Sequence, residues 1–163
     1  MDDVFEQVEF FVDAVSDYKS DFVLFPEYFN APLMAKFNHL GEAQSIRGLA
    51  QYTEEVRDRF INLAISYNIN IITGSMPYVK EDGGLYNVGF LVRRDGSYEM
   101  YEKVHVTPDE IKSWGLSGGK MVQTFDTDCA KIGILICYDV EFPELSRIMA
   151  DQGMQIRFVP FLT

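Results

Sequence analysis

Three side chains in this sequence pair a reactive group with one setting, the point where an apolar strand ends. Glu27 follows Phe22-Val23-Leu24-Phe25-Pro26. Lys103 lies in Tyr101-Glu102-Lys103-Val104-His105, and Cys137 ends Ile132-Gly133-Ile134-Leu135-Ile136. In α/β sheets, sites form outside the carboxyl ends of strands, so separate strand tips can converge on one pocket. Cys137 is followed by Tyr138-Asp139 and then by a helix opening at Phe142-Pro143-Glu144. A thiol on such a strand–turn–helix corner is displayed at the sheet edge, where nearby backbone N–H groups can hold an oxyanion. A carboxylate at the mouth of an apolar strand is suited to general-base work on that thiol. An ammonium such as that of Lys103 stabilises developing negative charge. Taken singly, each residue has a plainer reading: a small buried core thiol, a solvated turn carboxylate, a surface lysine on a hairpin.

The two histidines, His39 and His105, raise a competitor. Imidazole is a common activator of a catalytic thiol, and His105 stands two residues beyond Lys103. A metal centre has little support, because two cysteines and two histidines show neither C-x-x-C nor H-x-x-x-H spacing. The glycines at 115, 118 and 119 do not form a phosphate loop. Trp114 stands where such a loop needs a glycine, and Met121 where it needs Ser or Thr.

Elements that could present these groups are readable from periodicity. Val4, Val8, Phe11, Val12 and Val15 repeat at helical spacing over residues 3–18. Phe22–Phe25 is apolar on both faces, as in a buried parallel strand. Residues 30–50 read as loop with a short helix, and Val56, Phe60, Leu63, Ala64 and Tyr67 predict a second long helix. Ile69–Ser75 is a further strand. Leu85–Val92 and Tyr98–Val104 flank Asp95-Gly96, a strong hairpin signal. Residues 105–120 read as a loop holding Trp114. Val122–Phe125 and Lys131–Cys137 form a second strand pair, Phe142–Gln152 a helix with Pro143 in its first turn and Gly153 past its end, and Ile156–Leu162 a last strand. The order predicts an α/β fold with parallel and antiparallel pairs.

Composition narrows the class. A chain of 163 residues, 47% hydrophobic, suits one domain that buries roughly 70% of its unfolded surface. Disorder, collagen and coiled coil are excluded. No apolar run reaches the ~18 residues of a membrane span, so no membrane association is expected. The formal charge of −11 repels a phosphate backbone, which excludes nucleic acid as an expected partner. Two cysteines behind an acidic start (Met1-Asp2-Asp3) predict reduced thiols in the cytoplasm.

Taken together, Asp21-Phe-Val-Leu-Phe-Pro-Glu27-Tyr28, Tyr101-Glu-Lys103-Val-His105 and Lys131-Ile-Gly-Ile-Leu-Ile-Cys137-Tyr-Asp139-Val-Glu-Phe142-Pro143-Glu144-Leu145 resemble the nitrilase, or carbon–nitrogen hydrolase, superfamily. The motifs occur in the family's order and span most of the chain. The resemblance implies an α-β-β-α sandwich and a Glu–Lys–Cys triad, with Cys137 as nucleophile and Glu27 as general base. Lys103, helped by the backbone N–H of Tyr138, would stabilise the tetrahedral intermediate. Family amidases often use a second glutamate, for which Glu110 is the candidate. Glu141 stands where many relatives carry arginine. The implied activity is hydrolysis of a small-molecule amide or N-carbamoyl amine through a thioester, with no metal or organic cofactor. A homo-oligomer is implied by the resemblance alone.

The family domain opens with an apolar strand ahead of the first helix, whereas this sequence begins in that helix. The family also continues past the strand that follows the nucleophile helix. Residues 1–163 are therefore expected to be a partial domain from a longer hydrolase, one branch of which carries an acetyltransferase-like domain ahead of it. Two other readings compete: a non-catalytic scaffold that kept the fold, and a Cys137–His105 hydrolase.

Overall fold

The computed structural model describes residues 1–162. Its helices are α1 (Asp2–Asp17), α2 (Glu42–Leu49), α3 (Thr53–Tyr67) and α4 (Pro143–Asp151). Its strands are β1 (Phe22–Leu24), β2 (Asn70–Ile72), β3 (Met76–Val79), β4 (Leu85–Val92), β5 (Tyr98–Glu102), β6 (Leu116–Ser117), β7 (Thr124–Asp126), β8 (Lys131–Ile134) and β9 (Ile156–Phe158). Among the described residues they form a six-stranded and a three-stranded sheet.

Strand β4 is the spine of the larger sheet. β2 and β3 pair antiparallel along one of its edges, and β5 (antiparallel) with β6 (parallel) along the other. β1 adds in parallel to β2, Val23 opposite Ile71. The smaller sheet pairs β8 antiparallel with β7 and parallel with β9.

Three apolar interfaces hold four layers together. On the outer face of the large sheet, Phe5, Val8 and Val12 of α1 and Val56, Phe60 and Leu63 of α3 pack on Val23, Ile71, Val88 and Phe90. Between the sheets lie Ile72, Leu91 and Tyr101 from one side and Phe125, Ile132 and Ile134 from the other. Leu145 and Met149 of α4 cover the far face of the small sheet at Leu135. The order helix, sheet, sheet, helix is the sandwich expected from the resemblance.

Several boundaries differ from the sequence reading, each for a physical reason. The buried stripe of α1 runs through Phe5, Val8 and Val12, spaced to share one face, so Phe11 lies at its margin and is 56% exposed. The strand expected at Lys131–Cys137 stops at Ile134, and Cys137 itself opens a 3-10 turn (Cys137–Glu141). The last strand ends at Phe158, leaving Phe161 and Leu162 exposed. β3 has no clear strand signal in the sequence because it contains Pro77, which lacks a ladder donor and is tolerated only at edges. Residues 105–120, read as loop, contain a π-helical turn at Glu110–Trp114 closed by Gly115.

At the ends of β2 and β8 remote from Cys137, a polar clasp ties the sheets together. Asn70 Nδ2 donates to Asp128 Oδ1 (2.9 Å), Arg94 pairs with both Asp21 (3.0 Å) and Asp128 (3.1 Å), and Arg93 Nε donates to the Asp126 carbonyl (2.8 Å).

Candidate active site

The opposite ends of the strands bring Glu27, Lys103 and Glu110 into one buried cluster. Lys103 Nζ lies 2.8 Å from Glu27 Oε1 and 2.9 Å from both oxygens of Glu110. Lys103 is 1% exposed, Glu27 4% and Glu110 5%. Two carboxylates around one ammonium carry a net negative charge into the interior, which is tolerable only if further donors satisfy them. They do. Asn87 Nδ2 donates to Glu27 Oε1 (3.0 Å), while Tyr28 Oη (2.8 Å) and the Thr107 N–H (2.7 Å) donate to Glu110.

The titration shifts follow from these contacts. Burial alone would lower the Lys103 pKa, but the bonds and charges of Glu27 and Glu110 outweigh it and hold the ammonium above its ordinary value. Burial opposes ionisation of Glu110, yet the Thr107 N–H, Lys103 and Tyr28 bring its carboxyl below the usual range. The Tyr28 hydroxyl is pushed up by burial and by the Glu110 charge.

Backbone geometry fixes each member. Lys103 sits one residue past β5, its N–H donating to the Asn87 carbonyl (2.9 Å). Asn87 therefore holds the cation's backbone and the carboxylate's side chain at once. Glu27 follows Pro26, whose carbonyl accepts from the Ser75 N–H (3.3 Å). Gly74 has φ +69, and a Cβ there would stand 2.0 Å from the Pro26 oxygen. Only glycine permits that approach. The Tyr101 hydroxyl donates to the Gly74 carbonyl and locks the same turn.

Cys137 reaches this cluster from the small sheet. It is half-buried, and its φ of +46 places a non-glycine residue in the left-handed region, a strain characteristic of nucleophile turns. Its N–H donates to the Pro160 carbonyl (2.9 Å). Burial first, and then a hydrogen bond to Glu27 and that carboxylate's charge, push the thiol above its ordinary pKa. The Lys103 ammonium and the Leu162 backbone act in the opposite sense. The shift favours the protonated thiol, with Glu27 and Lys103 the charged groups that act on it. Tyr138, next in the chain, is 37% exposed and its backbone lies in the first turn of the 3-10 segment.

His105 does not join the thiol. Its Nδ1 lies 3.1 Å from Asp139 Oδ1, and its ring stacks on Phe142 with centroids 3.7 Å apart. His39 is exposed and has no part in the cluster. Asp139, 1% exposed, also accepts from the N–H groups of His105 (2.7 Å) and Val104 (3.1 Å). It thus ties the turn after Cys137 to the segment after Lys103. Burial raises its pKa, and those two N–H groups and the imidazole restrain the rise.

Sequence reading did not single out Tyr28, Asn87 or Asp139 as site residues. Tyr28 and Asp139 lie inside the quoted motifs beside Glu27 and Cys137, so proximity was an available signal. Asn87, a lone amide in an otherwise apolar strand, was a weaker one. Among the described residues no group of three or more His, Cys, Asp or Glu side chains is placed to hold a metal ion.

A four-layer α/β sandwich with a buried carboxylate–ammonium cluster facing a strained thiol defines a class, and comparison with known families agrees. The carbon–nitrogen hydrolase family model matches residues 2–162, and the chain belongs to that family, within the nitrilase superfamily. Its relatives include a probable hydrolase, YhcX, of Bacillus subtilis, 50% identical over 96% of this chain and 30% of the relative. The human omega-amidase NIT2 is 31% identical over 92% of this chain and 54% of the relative. The chain therefore spans about half, or less, of these relatives' length. Among solved structures, Saccharomyces cerevisiae Nit3, a member of the nitrilase superfamily, superposes with a TM-score of 0.81 at 25% identity, over 97% of this chain and 58% of that one.

Proposed function

We propose that this protein hydrolyses a non-peptide carbon–nitrogen bond, an amide or N-carbamoyl amine, in a small molecule through a thioester on Cys137. The observation that carries the reading is the buried Lys103 ammonium bridging Glu27 and Glu110, with the Cys137 thiol on a strained turn where the charges of Glu27 and Lys103 act on it. The relatives named hydrolase and omega-amidase support the amide assignment.

An amide carbon is a poor electrophile, so the thiol must lose its proton as it attacks rather than beforehand. The raised thiol pKa fits that order. Glu27 takes the proton as sulfur bonds to carbon, and the carbonyl oxygen gains negative charge beside the Lys103 ammonium and the Tyr138 N–H. Lys103 has three N–H donors shared by two carboxylates, which leaves capacity for an oxyanion. Glu27 returns the proton to the leaving nitrogen, and ammonia or an amine departs. Glu27 then deprotonates water, which attacks the thioester, and the acid leaves as the sulfur regains its proton. Glu110 stays ionised, keeps Lys103 charged and fixes its direction.

The two unpaired cysteines suit a reducing compartment, and we assign the protein to the cytoplasm. Among the described residues no helix is long and apolar enough to cross a membrane. A homo-oligomer is the expected assembly, with the exposed Ile148 of α4 available to its interface. The decisive experiment follows ammonia release from a panel of small amides with the wild-type protein and Cys137→Ala. Loss of turnover in the variant is expected, and unchanged turnover overturns the role of Cys137.

A further inference from the structure

Beside the charged cluster lies an apolar cavity of about 280 Å³, lined by Tyr28, Met34, Ile46, Leu49, Trp114 and Leu162. It shares two walls with the chemistry. Tyr28 turns its hydroxyl to Glu110, and its ring meets Trp114 edge-on at 5.5 Å. Leu162 lines the cavity two residues past Pro160, whose carbonyl accepts from the Cys137 N–H (2.9 Å). The floor is closed to solvent, with Leu49 and Ile46 nearly inaccessible. The only ionisable group of fixed charge among the described lining residues is the exposed Glu42, an anion at the rim; no Lys, Arg or His lines the cavity.

We infer that this cavity receives the acyl chain of the substrate and selects amides with an uncharged aliphatic tail over amides that end in a second carboxylate. The inference rests on the hydrolase reading and adds the substrate class to it. The volume takes a short chain, since a water-sized group occupies about 30 Å³ in the liquid. A terminal methyl gains by leaving water for Leu49, Ile46 and Met34. A terminal carboxylate would be desolvated with no cation to meet it and would approach the Glu42 charge as well. Lys103, held between Glu27 and Glu110 and directed at the reacting carbonyl, is not among the described residues that line the cavity.

The test compares hexanamide with adipic acid monoamide, which matches it in chain length but ends in a carboxylate, and with acetamide. One readout is kcat/KM from ammonia release by the purified protein. The other is protection of Cys137 from iodoacetamide, read by mass spectrometry, which does not require turnover. Hexanamide is expected to exceed the monoamide by at least about tenfold in kcat/KM, to exceed acetamide, and to protect at lower concentration. Met34→Arg, at the half-buried side of the cavity, is expected to reverse the ranking of hexanamide and the monoamide, with circular dichroism confirming the fold. Monoamide handled as well as hexanamide, or acetamide preferred to it, overturns the cavity assignment and leaves the hydrolase reading standing. Absence of both ammonia and protection with all three amides overturns both.

Discussion

The two sheets contribute to the site in opposite ways. The large sheet supplies Glu27, Lys103 and Glu110, each almost inaccessible to solvent and each held by at least two hydrogen bonds from separate segments. The small sheet supplies Cys137, half-buried on a strained turn, backed by short strands and by exposed Ile156 and Phe161. On the proposed mechanism, the acid–base and electrostatic groups are built into the framework, whereas the thiol is delivered to them by a turn. Charge stabilisation works only if its donors are already in place when charge develops, a demand that the more buried half meets on the proposed mechanism. It also means that stability and chemistry should separate when the two halves are altered.

The largest effect on stability is expected at Lys103. Lys103→Ala leaves Glu27 and Glu110 facing each other without a cation, and denaturant unfolding should register a loss of about 3–5 kcal/mol together with loss of turnover. Asp139→Asn comes next. It removes one of the acceptors that join the turn after Cys137 to His105 and Val104, for a loss of about 1–3 kcal/mol at neutral pH. The sign of its pH dependence is specific. The folded pKa of Asp139 is raised, so the folded chain retains a proton that the unfolded chain has released. Stability therefore falls as pH climbs from about 3.9 through the folded value. Melting temperatures of the Asn variant should lack that decline.

Glu27→Gln affects chemistry more than folding. Removing the general base should reduce turnover by about 10²–10⁴-fold. The Glu27 hydrogen bond and charge raise the thiol pKa while Lys103 lowers it, so the variant should alkylate with a midpoint at lower pH than wild type. A midpoint that stays or rises would show that Glu27 does not face the sulfur. The smallest change in stability is expected at Cys137. Cys137→Ala should shift unfolding by less than about 1 kcal/mol while turnover falls at least a thousandfold, roughly the scale seen when a covalent nucleophile is removed. A large loss of stability there would erase the contrast between the sheets.

What could be read from the sequence followed the same division. Apolar runs ending in a reactive residue pointed to Glu27, Lys103 and Cys137, and Asp95-Gly96 to the hairpin of β4 and β5, because those signals are local. Phe5 was passed over for Phe11 because both fit a helical repeat, and only packing against Phe60 decides between them. The π-helical turn that carries Glu110 inward has no periodic signature in five residues. Asn87 and Tyr28 act through partners 60 and 82 positions away, a relation that spacing along the chain does not encode.

The clasp of Asn70, Arg94 and Asp128 adds a mechanical consequence. The sheets resemble two covers of a book, bound at that spine, with thiol and carboxylate printed on the opposite margins. Loosening the binding would open the pages at those margins, although neither the thiol nor the carboxylate had been touched. Cys129, exposed beside Asn70, offers a bookmark for a spectroscopic label that would sense such loosening from the spine itself.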